Sequence, residues 1–217
     1  MMNITDIILK SIELLGVAAF GIAGAFEAIK KKADAFGVVF LGITTAVGGG
    51  VMRDVILGIN PPRIFSDWIY VAVAAAAALA VFFFAFISNK KFTGNMDKID
   101  HINNIFDAVG VGLFAVYGAK TVIDMGYTNI LLIIFVSMIT GTGGGMLRDV
   151  IISEVPFILK KHIYALAAIL GGVVYYLMIR IGLNEILSIS LGAVSVFVLR
   201  MLATHYRWNL PHINISS

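Results

Sequence analysis

The string Gly-Gly-Gly-Val-Met-Arg-Asp-Val-Ile at Gly48–Ile56 returns as Gly-Gly-Gly-Met-Leu-Arg-Asp-Val-Ile at Gly143–Ile151. Two such strings in one chain mean a duplicated unit, so the second half must fold as the first does. The correspondence runs outward from the motifs. A displacement of 94 residues superimposes Asp6 on Asp100, Glu13 on Asp107, Gly16 on Gly110, Phe20 on Phe114 and Gly24–Ala25 on Gly118–Ala119. One inserted residue aligns the glycine motifs, after which the displacement of 94 resumes and pairs Pro62 with Pro156 and Tyr70 with Tyr164. The expected organisation is therefore a first repeat over residues 1–88, a second over 99–181, and a remainder over 182–217.

The surroundings of the motifs are almost continuous hydrocarbon. With 59% hydrophobic and only 13% charged residues, and a mean hydropathy of +0.95, the chain cannot clothe a soluble surface. A bilayer crossing takes about 20 apolar residues, which leaves room for roughly seven spans and no extramembrane domain. Candidate spans are Ile7–Ile29, Phe36–Leu57, Trp68–Ile87, Ile102–Ile123, Asn129–Ile152, Ile163–Ile181 and Ile186–Leu202. The fold class is all-α integral membrane, with three helices in each repeat and a seventh outside them. An odd number of spans per repeat inverts the second copy relative to the first, the pseudosymmetry of many transport folds.

Charge fixes the orientation. Lys30, Lys31 and Lys32 follow span one, Lys90, Lys91 and Lys98 span three, Lys160 and Lys161 span five, and Arg200 and Arg207 end span seven. The other side holds little beyond Arg63, Lys120 and Arg180. Basic residues collect in the cytoplasm, so the N-terminus is placed outside and the C-terminus inside. This asymmetry accounts for the net charge of +3 without nucleic acid, and the lysines are expected against anionic lipid. The absence of cysteine excludes disulfides and thiolate metal sites, and His101, His162, His205 and His212 have no ligand spacing, so neither a metal nor a cofactor is expected. Asp6 and Glu13 beside Lys10 do not resemble a signal peptide, so the first helix is expected to be retained.

Three glycines in a row weaken a helix by about 1 kcal/mol each relative to alanine. Isolated small residues such as Gly16, Ala19, Ala23, Ala115 and Ala119 read as close-packing positions. The repeated triplets Gly48, Gly49, Gly50 and Gly143, Gly144, Gly145 predict instead a kink or break near mid-membrane. A break would free carbonyls and N–H groups, which are tolerated only inside protein or along water.

Arg53, Asp54, Arg148 and Asp149 follow the triplets, and charges at membrane depth mark pathways or pairings. On a broken helix, Asp54 would open the second half, where the dipole favours an anion and disfavours Arg53. Adjacent helical residues point about 100° apart, so pairing across the repeat, Arg53 with Asp149 or Arg148 with Asp54, is the arrangement that satisfies both copies. The same four residues equally suit a fold lock. Thr44 and Thr45 before one triplet, and Ser137, Thr140 and Thr142 before the other, either line an oxygen-rich path or bond back to their own helices. Glu13 and Asp107, near the entrances of spans one and four, either attract cations or sit solvated at the interface.

The doubled Gly-Gly-Gly-x-x-Arg-Asp, the three-plus-three-plus-one layout and the stretch Arg200-Met-Leu-Ala to Trp208-Asn-Leu-Pro211 resemble the bacterial members of the trimeric intracellular cation (TRIC) channel family. These are also catalogued as tandem glycine-transporter-domain proteins. The resemblance implies a homotrimer in the bacterial plasma membrane, with one pore per protomer lined by kinked second and fifth helices and conducting potassium and other monovalent cations. It places Gly48–Gly50 and Gly143–Gly145 at the kinks, with the Arg-Asp pairs beside them. The family label also contains a second function, transport of glycine or another small amino acid, for which an acid and half-helix N-termini would supply the site. No nucleophile–base pair or metal motif suggests an enzyme.

Overall fold

Helix after helix is interrupted only by short connections in the computed structural model, which describes residues 4–88, 96–160 and 163–208. The seven long helices are α1 (Ile4–Lys30), α2 (Ala35–Ile56), α3 (Ile69–Ile87), α4 (Met96–Asp124), α5 (Ile130–Ile151), α6 (Ile163–Arg180) and α7 (Glu185–His205). All seven are long and apolar enough to cross a membrane, as the spans read from sequence require. Lys90, Lys91, Lys161, His162, His212 and Asn209–Pro211 lie outside the described residues, as does the side chain of Lys160.

Local chemistry repeats with the sequence. Asp34 caps α2 by accepting from the Gly37 N–H at 2.8 Å, and its equivalent Asn129 caps α5 by accepting from the Leu131 N–H at 2.9 Å. Gly126 and Gly182 adopt φ of +83° and +81° just beyond α4 and α6, the left-handed turn that ends a helix cheaply only at glycine.

The most enclosed helix is α4, which packs against α1, α5, α6 and α7. By contrast, α3 offers Phe83, Phe84, Phe86 and Ile87 outward as a lipid-facing surface. Helices in lipid gain little from burying apolar area and associate through close van der Waals packing. The interior accordingly interleaves small residues such as Ala19, Ala23, Ala25, Ala108, Ala115 and Ala119 with larger ones such as Phe20, Val111, Ile133 and Tyr175. At its centre, Phe20 and its repeat equivalent Phe114 lie 5.3 Å apart between ring centroids.

The glycine triplets do not break their helices, as one of the two expected arrangements required. Both α2 and α5 run as unbroken α-helix through Gly48–Gly50 and Gly143–Gly145, so no half-helix termini are exposed there. The glycines serve a crossing instead. A methyl group on Gly49 would overlap the Thr140 carbonyl oxygen, and one on Gly144 would overlap that of Thr45. Each helix thus lays its backbone directly against the other, which only glycine permits. One consequence is that Arg53 and Arg148 fall in the last turns of α2 and α5, where the helix dipole favours a cation. The placement of Asp54 at a half-helix start is overturned for the same reason.

Candidate functional site

Two clusters of charged side chains flank the α2–α5 crossing, one toward the end of the molecule carrying Arg63 and one toward the end carrying Lys30. They are built from equivalent residues. In the first, Arg53 Nε donates to Asp54 Oδ1 at 2.8 Å, and the free oxygen of Asp54 accepts from the Arg63 N–H at 2.8 Å. In the second, Arg148 Nε donates to Asp149 Oδ1 at 2.9 Å, and Asp149 Oδ2 accepts from the Phe157 N–H at 2.7 Å. Each aspartate therefore ties the following loop to the end of its own helix.

Cross-repeat pairing is thereby corrected: Arg53 and Arg148 bond to their chain neighbours. The 100° between adjacent side chains does not prevent this, because an arginine is long and flexible enough to fold back onto the next residue. All four groups are at most 6% exposed, so their charges are compensated inside the protein rather than by water.

A carboxylate from the first helix of each repeat completes each cluster. Glu13 accepts from Tyr70 Oη at 2.8 Å, and Asp107 accepts from Tyr164 Oη at 3.3 Å. Replacing Tyr70 by Phe should cost about 1 kcal/mol of thermal stability through loss of that hydrogen bond, measurable by melting the purified protein.

The two clusters then differ. Asp107 also accepts from Arg148 Nη1 at 3.2 Å and from Arg200 Nη2 at 2.9 Å, and the Arg200 guanidinium lies 4.2 Å from the Tyr164 ring centroid. Arg200 comes from α7, outside both repeats, so the Arg63-side cluster has no equivalent. Each cluster keeps one buried guanidinium nitrogen without a partner, Arg53 Nη1 in one and Arg200 Nε in the other. Asp107 is thus no solvated interfacial acid but the centre of a buried ion network.

Hydroxyls predicted near the triplets turn back on their own helices. Thr44 donates to the Phe40 carbonyl at 2.9 Å, Thr45 to that of Leu41 at 2.7 Å, Thr140 to Val136 at 2.6 Å and Thr142 to Met138 at 2.7 Å. Ser137 is fully buried and its Oγ has no partner. Apart from Thr44, whose hydroxyl bond is exposed, these groups pack within the helix bundle. The third glycines face side chains instead: a methyl on Gly50 would stand 3.7 Å from Arg53 Nη2, an ordinary contact, whereas one on Gly145 would press on the Tyr164 hydroxyl at 2.9 Å.

Polar cavities approach the clusters from both ends. One of about 430 Å³ is bounded by Glu27, Lys30, Asp100, Asn103, Asp107 and Arg200 among others. Another of about 200 Å³ is bounded by Lys10, Glu13, Arg63, Tyr70, Lys120 and Asp124 among others. At its mouth the Lys10 ammonium, 2.6 Å from Asp67, holds that carboxyl below the usual carboxylate range. Val17, Phe20, Ala46, Val111, Phe114 and Ala115 belong to one packed apolar cluster, and Val17, Ala46 and Phe114 also border a small cavity that reaches Glu13, Arg53 and Asp54. Sequence reasoning missed Arg200, Tyr70 and Tyr164 as site residues, although the repeat had aligned the two tyrosines. It also missed Lys30, Glu27 and Asn103 as cavity walls.

The family model described as Glycine transporter matches this chain twice, over residues 10–85 and 104–180. The membrane protein YvgT of Bacillus subtilis is 31% identical over 93% of this chain and 94% of its own length. The inner membrane protein YadS of Escherichia coli K12 is 32% identical over 92% and 93%. Among solved structures, a prokaryotic TRIC channel crystallised in 0.5 M KCl superimposes with a TM-score of 0.84 at 35% identity, covering 94% of this chain and 99% of that one. The TRIC trimeric intracellular cation channel orthologue of Rhodobacter sphaeroides gives a TM-score of 0.82 at 31% identity, covering 93% and 99%. These solved relatives are channels, not enzymes, and seven apolar helices with bacterial relatives make this a multi-pass bacterial membrane protein. With its twice-matched domain, its charged clusters in duplicate and its whole-chain likeness to solved channels, the chain belongs to the TRIC cation channel family.

Proposed function

We propose that this protein is a homotrimeric channel for monovalent cations, potassium foremost, with one pore in each protomer. The observation that carries the reading is the pair of polar cavities entering from opposite ends and stopping at equivalent carboxylate–arginine clusters. Inverted repeats over residues 1–88 and 99–181, with 182–217 as the seventh helix and tail, account for one cluster facing each side. In the orientation set by the basic residues, the Lys30 end is cytoplasmic and the N-terminus lies outside. Conduction requires the packed apolar cluster to part. The α2–α5 crossing is the pivot, since Gly49 and Gly144 allow the two backbones to slide and bend against each other without side chains to disengage. The buried Arg-Asp pairs then hold the helix ends in register while the middle moves.

Purified protein in planar bilayers under a potassium gradient tests this. Discrete steps reversing at the potassium equilibrium potential are expected, with no saturable uptake of labelled glycine into matched liposomes. Silent bilayers with saturable, exchangeable glycine uptake would overturn the channel and make the protein a carrier. Crosslinking in native membranes should trap a trimer.

A further inference from the structure

The larger cavity holds an arrangement that the channel reading alone does not require. Lys30 Nζ lies 3.0 Å from Glu27 Oε1 and 2.9 Å from Asp100 Oδ1, an ammonium seated between two carboxylates at the junction of α1 and α4. Asn103 donates through Nδ2 to the same Glu27 oxygen at 2.6 Å. That bond fixes which amide atom is which, because a carboxylate accepts only from the NH₂ group. The remaining atom, Asn103 Oδ1, is an acceptor without a partner on a side chain only 7% exposed. A buried acceptor left open is costly, and the group it lacks must be a donor or a cation.

We propose that Glu27, Asp100 and the Asn103 side-chain carbonyl form a binding site for a monovalent cation in this vestibule, and that the Lys30 ammonium is its tethered occupant in this structure. Three observations meet here. The groups around the ammonium are all oxygen acceptors, the ligands that replace an alkali cation's water. The site is also open to an ion from the cavity, since the Asp100 carboxylate lines it and its side chain is 54% exposed. Finally, the lysine makes an incomplete fit. Its stem holds the ammonium against the two carboxylates while Asn103 Oδ1 goes unused, and an untethered ion is free to settle toward that oxygen.

The inference rests on the channel reading and deepens it. A permeant ion must displace Lys30 to enter from this side, so the lysine sets both the local cation concentration and the ease of entry. Arg148 and Arg200 face this position with their charges compensated, because Asp107 and Asp149 pair with them.

Single-channel recording at low potassium separates the possibilities. Lys30→Met should raise conductance for current entering from the Lys30 side by roughly threefold, an effect that shrinks at high salt. Adding Asn103→Ala to Lys30→Met changes no charge and should return conductance most of the way to wild type. Lys30→Arg keeps a tethered cation, so it should gain less conductance than Lys30→Met, and its melting temperature controls for folding. Lys30→Met equal to wild type, or silent while Lys30→Arg conducts, would make the lysine a strut and overturn the site. A gain in Lys30→Met that survives Asn103→Ala would show a diffuse charge effect and overturn it equally. A wild-type protein that passes no current would sink the channel reading itself, a result distinct from either.

Discussion

Alanine at Gly49 or Gly144 is expected to destabilise the protein by at least about 3 kcal/mol, far more than alanine one residue later at Gly50. The two helices touch backbone to backbone at these glycines, where the added methyl meets a carbonyl oxygen that belongs to the other helix and cannot rotate away. Relief requires the helices to separate, which loosens every contact along the crossing. At Gly50 the same methyl meets only the end of Arg53, at 3.7 Å, an ordinary contact. There the gain in helix propensity, about 1 kcal/mol, offsets any adjustment of the arginine, so the melting temperature should hold or rise. Thermal unfolding of the purified variants reads the difference directly. Equal losses at Gly49 and Gly50 would mean that the triplet acts through helix flexibility rather than through the crossing.

That contrast also shows where sequence reasoning reached and where it stopped. Seven spans were legible because period and length suffice: an apolar run such as Ala35–Ile56 has few alternatives in a bilayer. The glycine triplets were legible as special positions, but the backbone-on-backbone crossing they make was not. Helix propensity, which argues for a break, is a local quantity, whereas the approach of the Thr140 carbonyl is a property of two helices together. Tertiary packing outweighs a propensity cost of this size once all intrahelical hydrogen bonds can be kept. The Arg-Asp pairs failed in the same way. Side-chain direction at the Cα suggested separate faces, but the reach of an arginine decides its partner. Thr44, Thr45, Thr140 and Thr142 carried no sequence signal that separates a pore-lining hydroxyl from one bonded to its own helix. Arg200 was least accessible of all, since it lies outside the repeat and symmetry could not point to it.

The repeat is nonetheless what makes the difference between the two ends interpretable. Glu13 and Asp107 descend from one position, yet only Asp107 is held by two arginines. A shared ancestor with equivalent ends would give equal barriers on both sides, and the addition of α7 removes that equality at the Lys30 end. Its last turns also reach Asn104 through Thr204 at 3.2 Å, so a shift of α7 acts on α4 at two points.

The network around Asp107 should therefore dominate stability among the polar groups. Asp107→Asn is expected to cost about 3–5 kcal/mol, because it leaves Arg148 and Arg200 sharing too little negative charge in a buried setting. The equivalent Glu13→Gln should cost about 1 kcal/mol, since that change removes one neutral donor's preferred acceptor and strands no buried guanidinium pair. Combining Asp107→Asn with Arg200→Met should recover part of the loss, as the second change takes away one of the stranded charges, with a coupling of about 1–3 kcal/mol in the double-mutant cycle. Arg200→Lys is the milder control. It keeps the charge but gives up the planar face lying over Tyr164, and a loss of about 1–2 kcal/mol is expected. If Asp107→Asn and Glu13→Gln melted together, the second arginine would contribute nothing, and α7 would be packing without holding the Lys30 end closed. If they separate as expected while Asp107→Asn also lengthens channel openings, then the buried charge that stabilises the fold is the same one that keeps the pathway shut, and opening must begin with Arg200 leaving Asp107.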